Sequence, residues 1–270
     1  MLSKKKDIWI VISLCVLAFY IIFMIYPLGI LFKNAVIENN GNFTFAYFSK
    51  FLSKNYYFST IFNSFKVSLA ATALTLITGT PLAYFYNMYK IKGKTFLQII
   101  IILCSMSAPF IGAYSWILLL GRNGLITNTL KNLTGFNVPS IYGFGGILLV
   151  LCMQLYPLVF LYVSGALRNI DNSLLEASEN MGCTGTKRFF KIIIPLCIPT
   201  ILAAALMVFM RAFADFGTPL FIGEGYRTFP VEIYNQFMNE TGSDKNFASA
   251  VSIIAIIITS LILSLIHISE

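Results

Sequence analysis

Few residues in this chain have chemistry to offer, and they fall in three places. The first is a polar stretch, residues 168–191, reading RNIDNSLLEASENMGCTGTKRFFK and followed by IIIP. Ser173-x-x-Glu176 fits a capping box, in which the serine closes the start of a helix and the glutamate reaches back to it. Leu174, Ala177, Ser178 and Met181 then share one face, with Glu176, Glu179 and Asn180 on the others. Gly182 is placed to end that helix, and Thr186 to cap a second turn carrying Lys187, Arg188, Phe189 and Phe190. A helix of about ten residues is marginal alone in water. Its apolar edge therefore calls for a partner, or for a membrane surface to lie on.

The second place is a set of charges inside apolar runs: Lys66, Arg211 and Asp215. A charge in a bilayer costs several kcal/mol unless it pairs or snorkels, so each is a candidate gate or pathway residue. Arg211 and Asp215 are one helical turn apart and could pair on one face. All three fall near the ends of their runs, where anchoring is the competing role. The third place is Gly93-Lys94-Thr95, the second half of a phosphate loop. Met88 holds the position of the missing first glycine, so these residues read as a basic turn. No nucleophile–base pair stands out, because the only histidine, His267, is at the tail of the last apolar run. Cys15, Cys104, Cys152, Cys183 and Cys197 have no paired spacing and read as small hydrophobes; no metal ligand set is expected.

The elements that position these residues are set by composition. Of 270 residues, 57% are apolar and 11% charged, with mean hydropathy +0.79. Soluble domains carry roughly 25% charged residues, so an ordinary cytosolic enzyme, a disordered chain and a nucleic-acid module are excluded. A span needs about 20 apolar residues of helix. Residues 8–32, 61–86, 96–120, 141–165, 192–216 and 247–267 meet or approach that length. The first run is too long for the roughly 7–15 residues of a signal peptide's apolar region, despite Lys4, Lys5 and Lys6 before it. The expected fold is all-α, a polytopic membrane bundle of about six transmembrane helices. With the N-terminus inside, Lys4–Lys6, Lys90, Lys92, Lys94, Arg168, Lys187, Arg188 and Lys191 are cytoplasmic, and basic residues are sparser in the outer loops. Pro27, Pro81, Pro109 and Pro157 predict kinks, and Ser68, Ala71 and Thr72 predict close helix contact.

The spacing Glu176-Ala177-Ser178, three residues, Gly182, nine residues, Ile192-Ile193-Ile194-Pro195 resembles the EAA loop of ABC importer permeases. Ser178 stands where that family has a second alanine, and Ile194 where it has leucine. Asn63-Ser64 resembles the opening of the family's five-helix core. The resemblance implies the type I importer permease fold: residues 1–60 as an N-terminal transmembrane helix and first periplasmic loop, and 61–270 as the core, with its coupling loop at about 168–195. It implies an ATPase-coupling role for Glu176, Ala177, Ser178, Gly182, Ile192 and Pro195, seated on a cytoplasmic ABC ATPase dimer. ATP would be bound by that partner, with no cofactor and no catalysis in this chain. The other implied partners are a periplasmic or lipid-anchored substrate-binding protein, a second permease half and the lipid of a bacterial inner membrane, with no nucleic acid.

Three further strings, Gly121-Arg122-Asn123-Gly124-Leu125, Ser140-Ile141-Tyr142-Gly143 and residues 213–237, resemble ferric-iron-type permeases. Residues 229–237, with Tyr234, read as an outer re-entrant or surface helix. Many such permeases are fused tandem repeats, and this chain resembles one half of one. Polyamine, aminoethylphosphonate, thiamine and sulfate permeases share related wording, so those solutes are alternatives. An ATPase-independent secondary transporter would want ionisable residues at mid-membrane and discontinuous helices. A membrane-embedded enzyme would want clustered His, Asp and Glu, which a lone histidine does not provide.

Overall fold

A computed structural model describes the backbone of residues 2–38, 40–106, 108–135, 140–238 and 244–267. Helix α1 (Leu2–Tyr20) runs through a π-helical turn, Ile21–Ile25, into α2 (Tyr26–Val36). Residues Ile8–Val36 form one span of mean hydropathy 2.9, apolar on every side, as a helix solvated by lipid must be. After α3 (Ala46–Ser53) comes α4 (Asn55–Met88), which carries Pro81 inside it. Then follow α5 (Lys94–Ser105), α6 (Pro109–Leu120), α7 (Leu125–Thr134), α8 (Phe144–Arg168), α9 (Asn172–Asn180) and α10 (Gly185–Arg188). A second π turn, Phe189–Ile193, joins α10 to α11 (Ile194–Ala214), and α12 (Gly217–Ile222), α13 (Phe229–Met238) and α14 (Lys245–His267) complete the described helices. Five helices among the described residues are long and apolar enough to cross a membrane, and there are six if a bent pair of helices counts as one span. The fold is the expected all-α polytopic bundle.

The third span is not the straight helix expected over 96–120. Lys94–Ser105 and Phe110–Leu133 meet at 104°. Proline disfavours helical backbone in the residue before it and lacks an N–H. Ala108 is accordingly extended (φ −66°, ψ 140°) and Pro109 opens a new helix. Prolines elsewhere are absorbed differently. Each π turn ends just before an x-Pro pair, Tyr26-Pro27 in one case and Ile194-Pro195 in the other. The N–H of Tyr26 reaches back to the Ile21 carbonyl, and that of Ile194 to the Phe189 carbonyl. One widened turn makes room for the ring while the helix continues.

The chain forms two compact units, Met1–Ser59 with Glu232–Glu270, and Thr60–Val231. In the first, α14 packs along α2, burying Ala35, Ala250 and Ile253 beside Tyr47 and Phe48. Lys50 pairs with Asp244 at 3.5 Å, and Asp244 Oδ1 accepts the N–H of Phe247 at 3.0 Å, capping α14.

In the second unit, α8 is the central post, and α4 and α11 lie against it. Ser68, Ala71 and Thr72 are buried, as their small size predicts. The hydroxyls of Ser68 and Thr72 donate to the carbonyls of Ser64 and Ser68, both at 2.7 Å, so no polar group is stranded there. Gly79 lets α4 approach α8 closely: a Cβ there would lie 2.8 Å from Val159 Cβ and 3.0 Å from the Tyr156 carbonyl oxygen. Nearer the α9 end of the post, Asn87 Nδ2 donates to Ser164 Oγ and to the Ala83 carbonyl, at 2.7 and 2.8 Å.

Candidate functional site: the α9 loop

Helix α8 ends at Arg168, and three residues later the chain starts α9. The N-cap is Asp171, not Ser173: the Asp171 carboxylate accepts the Ser173 N–H at 2.9 Å. Both residue types cap well, and the extended backbone of Asp171 (φ −66°, ψ 128°) decides between them. This bond from the Ser173 backbone, helped by the Ser173 side chain, holds the Asp171 carboxyl below its ordinary range. A lowered carboxylate stabilises the fold above its unfolded value of about 4 and loses that contribution as pH falls through the folded value. The cap is thus complete at neutral pH. We expect Asp171→Ala to speed amide exchange across 172–180 about threefold to tenfold at pH 7, and by progressively less as pH falls through the folded carboxyl's lowered value. Equal protection in parent and variant at pH 7 would show that the cap does not hold α9.

The other end of α9 is closed as expected. Gly182 adopts φ +74°, and the N–H groups of Gly182 and Cys183 bond the carbonyls of Glu179 and Ser178, each at 2.9 Å. This is the Schellman pattern, and it turns the chain sharply away from the helix. The next helix begins at Gly185 with Thr184 as N-cap, two residues before the expected Thr186 cap. Arg188 pairs with Glu179 at 3.5 Å across the turn. Phe189 lies 4.6 Å from the Tyr84 ring, and Ile193 is buried, so the start of the fifth span is pinned to α4.

The loop is therefore fixed at both ends, and its faces are unequal. Leu175 packs on the bundle core, and Ser178 is buried with its hydroxyl donating to the Leu175 carbonyl at 2.7 Å. Leu174, Ala177 and Met181 form the opposite ridge. Leu174 is 51% exposed and Met181 82%, and Ala177 and Glu176 are exposed beside them. The expected face thus divides, with Ser178 turning inward and the other three outward. Pro195 is exposed and Ile192 half-buried, and Ile193 takes the buried place between them. The loop presents a short apolar ridge flanked by a carboxylate, held rigidly away from the bundle. Such a ridge fits a groove and does no covalent chemistry.

The charges in the apolar runs are not brought together. Lys66 is exposed on α4, with its ammonium 5.1 Å from the Phe144 ring centroid. Arg211 and Asp215 form no ion pair, because α11 ends at Ala214. Asp215 is extended there (ψ 121°), and its Oδ1 accepts the Gly217 N–H at 3.1 Å. A spacing of four shares a face only while the helix lasts. Gly93 is a left-handed turn residue (φ +78°) before α5, and Lys94 sits 4.5 Å over the Tyr86 ring, as befits a basic turn. A residue missed from sequence is Glu232 on α13. It is 2% exposed, takes the Tyr56 hydroxyl at 3.2 Å, and takes the Gln236 amide at 2.7 Å. The Glu-x-x-x-Gln spacing inside FPVEIYNQF was the signal available.

Residues 75–269 match the family described as "Binding-protein-dependent transport system inner membrane component". The chain is 28% identical over 93% of its length to the "Ferric transport system permease protein FbpB" of Actinobacillus pleuropneumoniae, of which it spans only 36%. It is 24% identical over 96% of its length to the "Putative 2-aminoethylphosphonate transport system permease protein PhnU" of Salmonella typhimurium, of which it spans 90%. In fold it is similar to a chain of a bacterial ABC transporter involved in the import of the acidic polysaccharide alginate. That match has a TM-score of 0.79 at 19% identity and covers 98% of this chain and 96% of the other.

Proposed function

Because the chain belongs to the family of binding-protein-dependent transport system inner membrane components, we propose that it is the multi-pass permease subunit of an ABC importer in a bacterial inner membrane, with α9 as the helix that docks on a cytoplasmic ATPase. The observation that carries this reading is the outward ridge of Leu174, Ala177 and Met181, with Glu176 beside it, on a helix capped at both ends. The short caps and the Phe189 anchor let a push on α9 reach α8, α11 and α4 as a rigid-body movement. The α9 end of the second unit is then cytoplasmic, and Lys4, Lys5 and Lys6 before the first span support a cytoplasmic N-terminus. ATP binding and hydrolysis fall to the partner, and a second permease half completes the pathway.

The solute we propose is ferric iron, delivered by a binding protein. Support comes from the 121–125, 140–143 and 213–237 strings and from the ferric-type relative. Aminoethylphosphonate is the second reading, favoured by the relative of which the chain spans 90%. The broken third span meets one expectation of a secondary transporter. An α9 ridge has no use in such a carrier, and the family match favours the importer. Proteoliposomes holding the permease pair and its ATPase should accumulate iron only with ATP and an iron-loaded binding protein. Uptake of aminoethylphosphonate instead would move the substrate assignment, and ATP-independent uptake would end the importer reading.

A further inference from the structure

At the start of α8, roughly 37 Å along that helix from the α9 loop, residues 223–229 cross the end of the bundle as a strap. Its tethers are unequal. On the α4 side both bonds are neutral, and the one made by Ser64 is buried. Ser64 Oγ accepts the N–H of Phe229 at 2.7 Å, and Asn63 Nδ2 donates to the Arg227 carbonyl at 3.0 Å. Ser64 is 2% exposed and Phe229 not at all. On the other side the strap is held by an ion pair between Glu224 and Arg122, whose side chains are 46% and 69% exposed. The Arg122 guanidinium also lies 5.4 Å from the Tyr142 ring centroid.

Glu224 is the one non-glycine among the described residues with positive φ, at +39°, and it sits between Gly223 and Gly225. A third glycine would fit that backbone with less strain. The strained position therefore holds a carboxylate, and the carboxylate is the group that meets Arg122. We propose that the strap is the closing flap of the transport pathway at the end remote from α9, hinged on Asn63 and Ser64 and latched by Arg122 and Glu224. Hinge and latch differ in physical kind: a buried neutral hydrogen bond is insensitive to salt, whereas an exposed ion pair is screened by it. The inference rests on the permease reading, and it gives Asn63-Ser64 a positioning role that their place at the opening of the core does not explain.

Thr228 supplies the reporter. It is a residue of the strap itself, next to Phe229, is 2% exposed, and its hydroxyl makes no hydrogen bond. Thr228→Cys, in the full chain with its five native cysteines replaced, is reconstituted alone in vesicles and labelled with a membrane-impermeant maleimide. Glu224→Gly and Arg122→Gln should each raise the labelling rate about fourfold, and the charge swap R122E/E224R should return it towards the parent. Ser64→Ala should raise it about tenfold or more, because a buried acceptor is lost. Raising salt from about 0.05 to about 0.5 M should speed labelling in the parent and leave Glu224→Gly unchanged. Lys131→Gln, an exposed charge lost outside the strap, should label at the parent rate. Parent-like labelling in Glu224→Gly and Arg122→Gln, or a swap as fast as the single variants, overturns the latch. Because labelling needs no ATPase, failure of the importer reading in the uptake assay would leave this result standing, and the reverse also holds.

Discussion

Ala177→Arg should abolish recovery of the ATPase subunit with this protein, lowering co-purification at least about tenfold, while the permease itself inserts and melts as before. Ala177 is at the middle of the outward ridge, between Leu174 and Met181, and touches no buried part of the bundle. Adding a long cation there costs the fold nothing. In a closed contact the same cation must be desolvated without a matched partner, at a cost of several kcal/mol. Ser178→Ala is the internal comparison. It removes an inward hydroxyl that bonds only its own helix, so ATPase recovery should fall by less than about threefold. Undiminished recovery with Ala177→Arg would show that the ridge is not the docking face.

The second large effect is expected at Gly79. Gly79→Leu places a Cβ 2.8 Å from Val159 Cβ and 3.0 Å from the Tyr156 carbonyl oxygen. Neither neighbour can give way, since one is a β-branched side chain in the core and the other is backbone. The helices α4 and α8 must separate, and overpacking of this kind costs about 3 kcal/mol or more. The variant should be recovered poorly and should melt well below the parent by a fluorescence-detected thermal assay. Gly79→Ala should fall between the two, because its methyl meets the same atoms. Gly145→Ala and Gly165→Ala, on the same post with nothing within 4 Å of the added carbon, should melt at or slightly above the parent temperature. Equal stability of Gly79→Leu and the parent would mean that α4 and α8 do not approach at this point.

The spans could be read from the chain because apolar length is a property of sequence. Whether a proline breaks a span is not. Pro81, Pro109 and Pro157 look alike in their runs, yet α4 and α8 continue through two of them while a separate helix opens at Pro109. The outcome depends on whether neighbouring groups take up the freed backbone bonds. The π turns before Pro27 and Pro195 are a second way out that periodicity does not reveal.

The α9 loop was legible in its stop signal at Gly182, whose left-handed backbone is a local demand that only a few residue types meet. Its inward face was not. Leu174 and Leu175 are the same residue one position apart, and the direction in which α8 releases the chain selects Leu175 for the core. The Arg211–Asp215 pair failed because α11 stops one residue short of Asp215. The strap was legible only as strings of residues. The contacts of Asn63 and Ser64 with it span more than 160 positions of sequence, beyond the reach of any local pattern.

Met181, at 82% exposure on the α9 ridge, is the position from which contact with an ATPase is most directly read. With a photo-reactive residue in place of Met181 and the ATPase subunit co-expressed in the same membranes, irradiation should give an adduct of permease plus ATPase. The same probe at Leu202, 63% exposed within the apolar run of α11, should give no ATPase adduct. Adducts to lipid alone from position 181, with the ATPase present and assembled, would contradict the account.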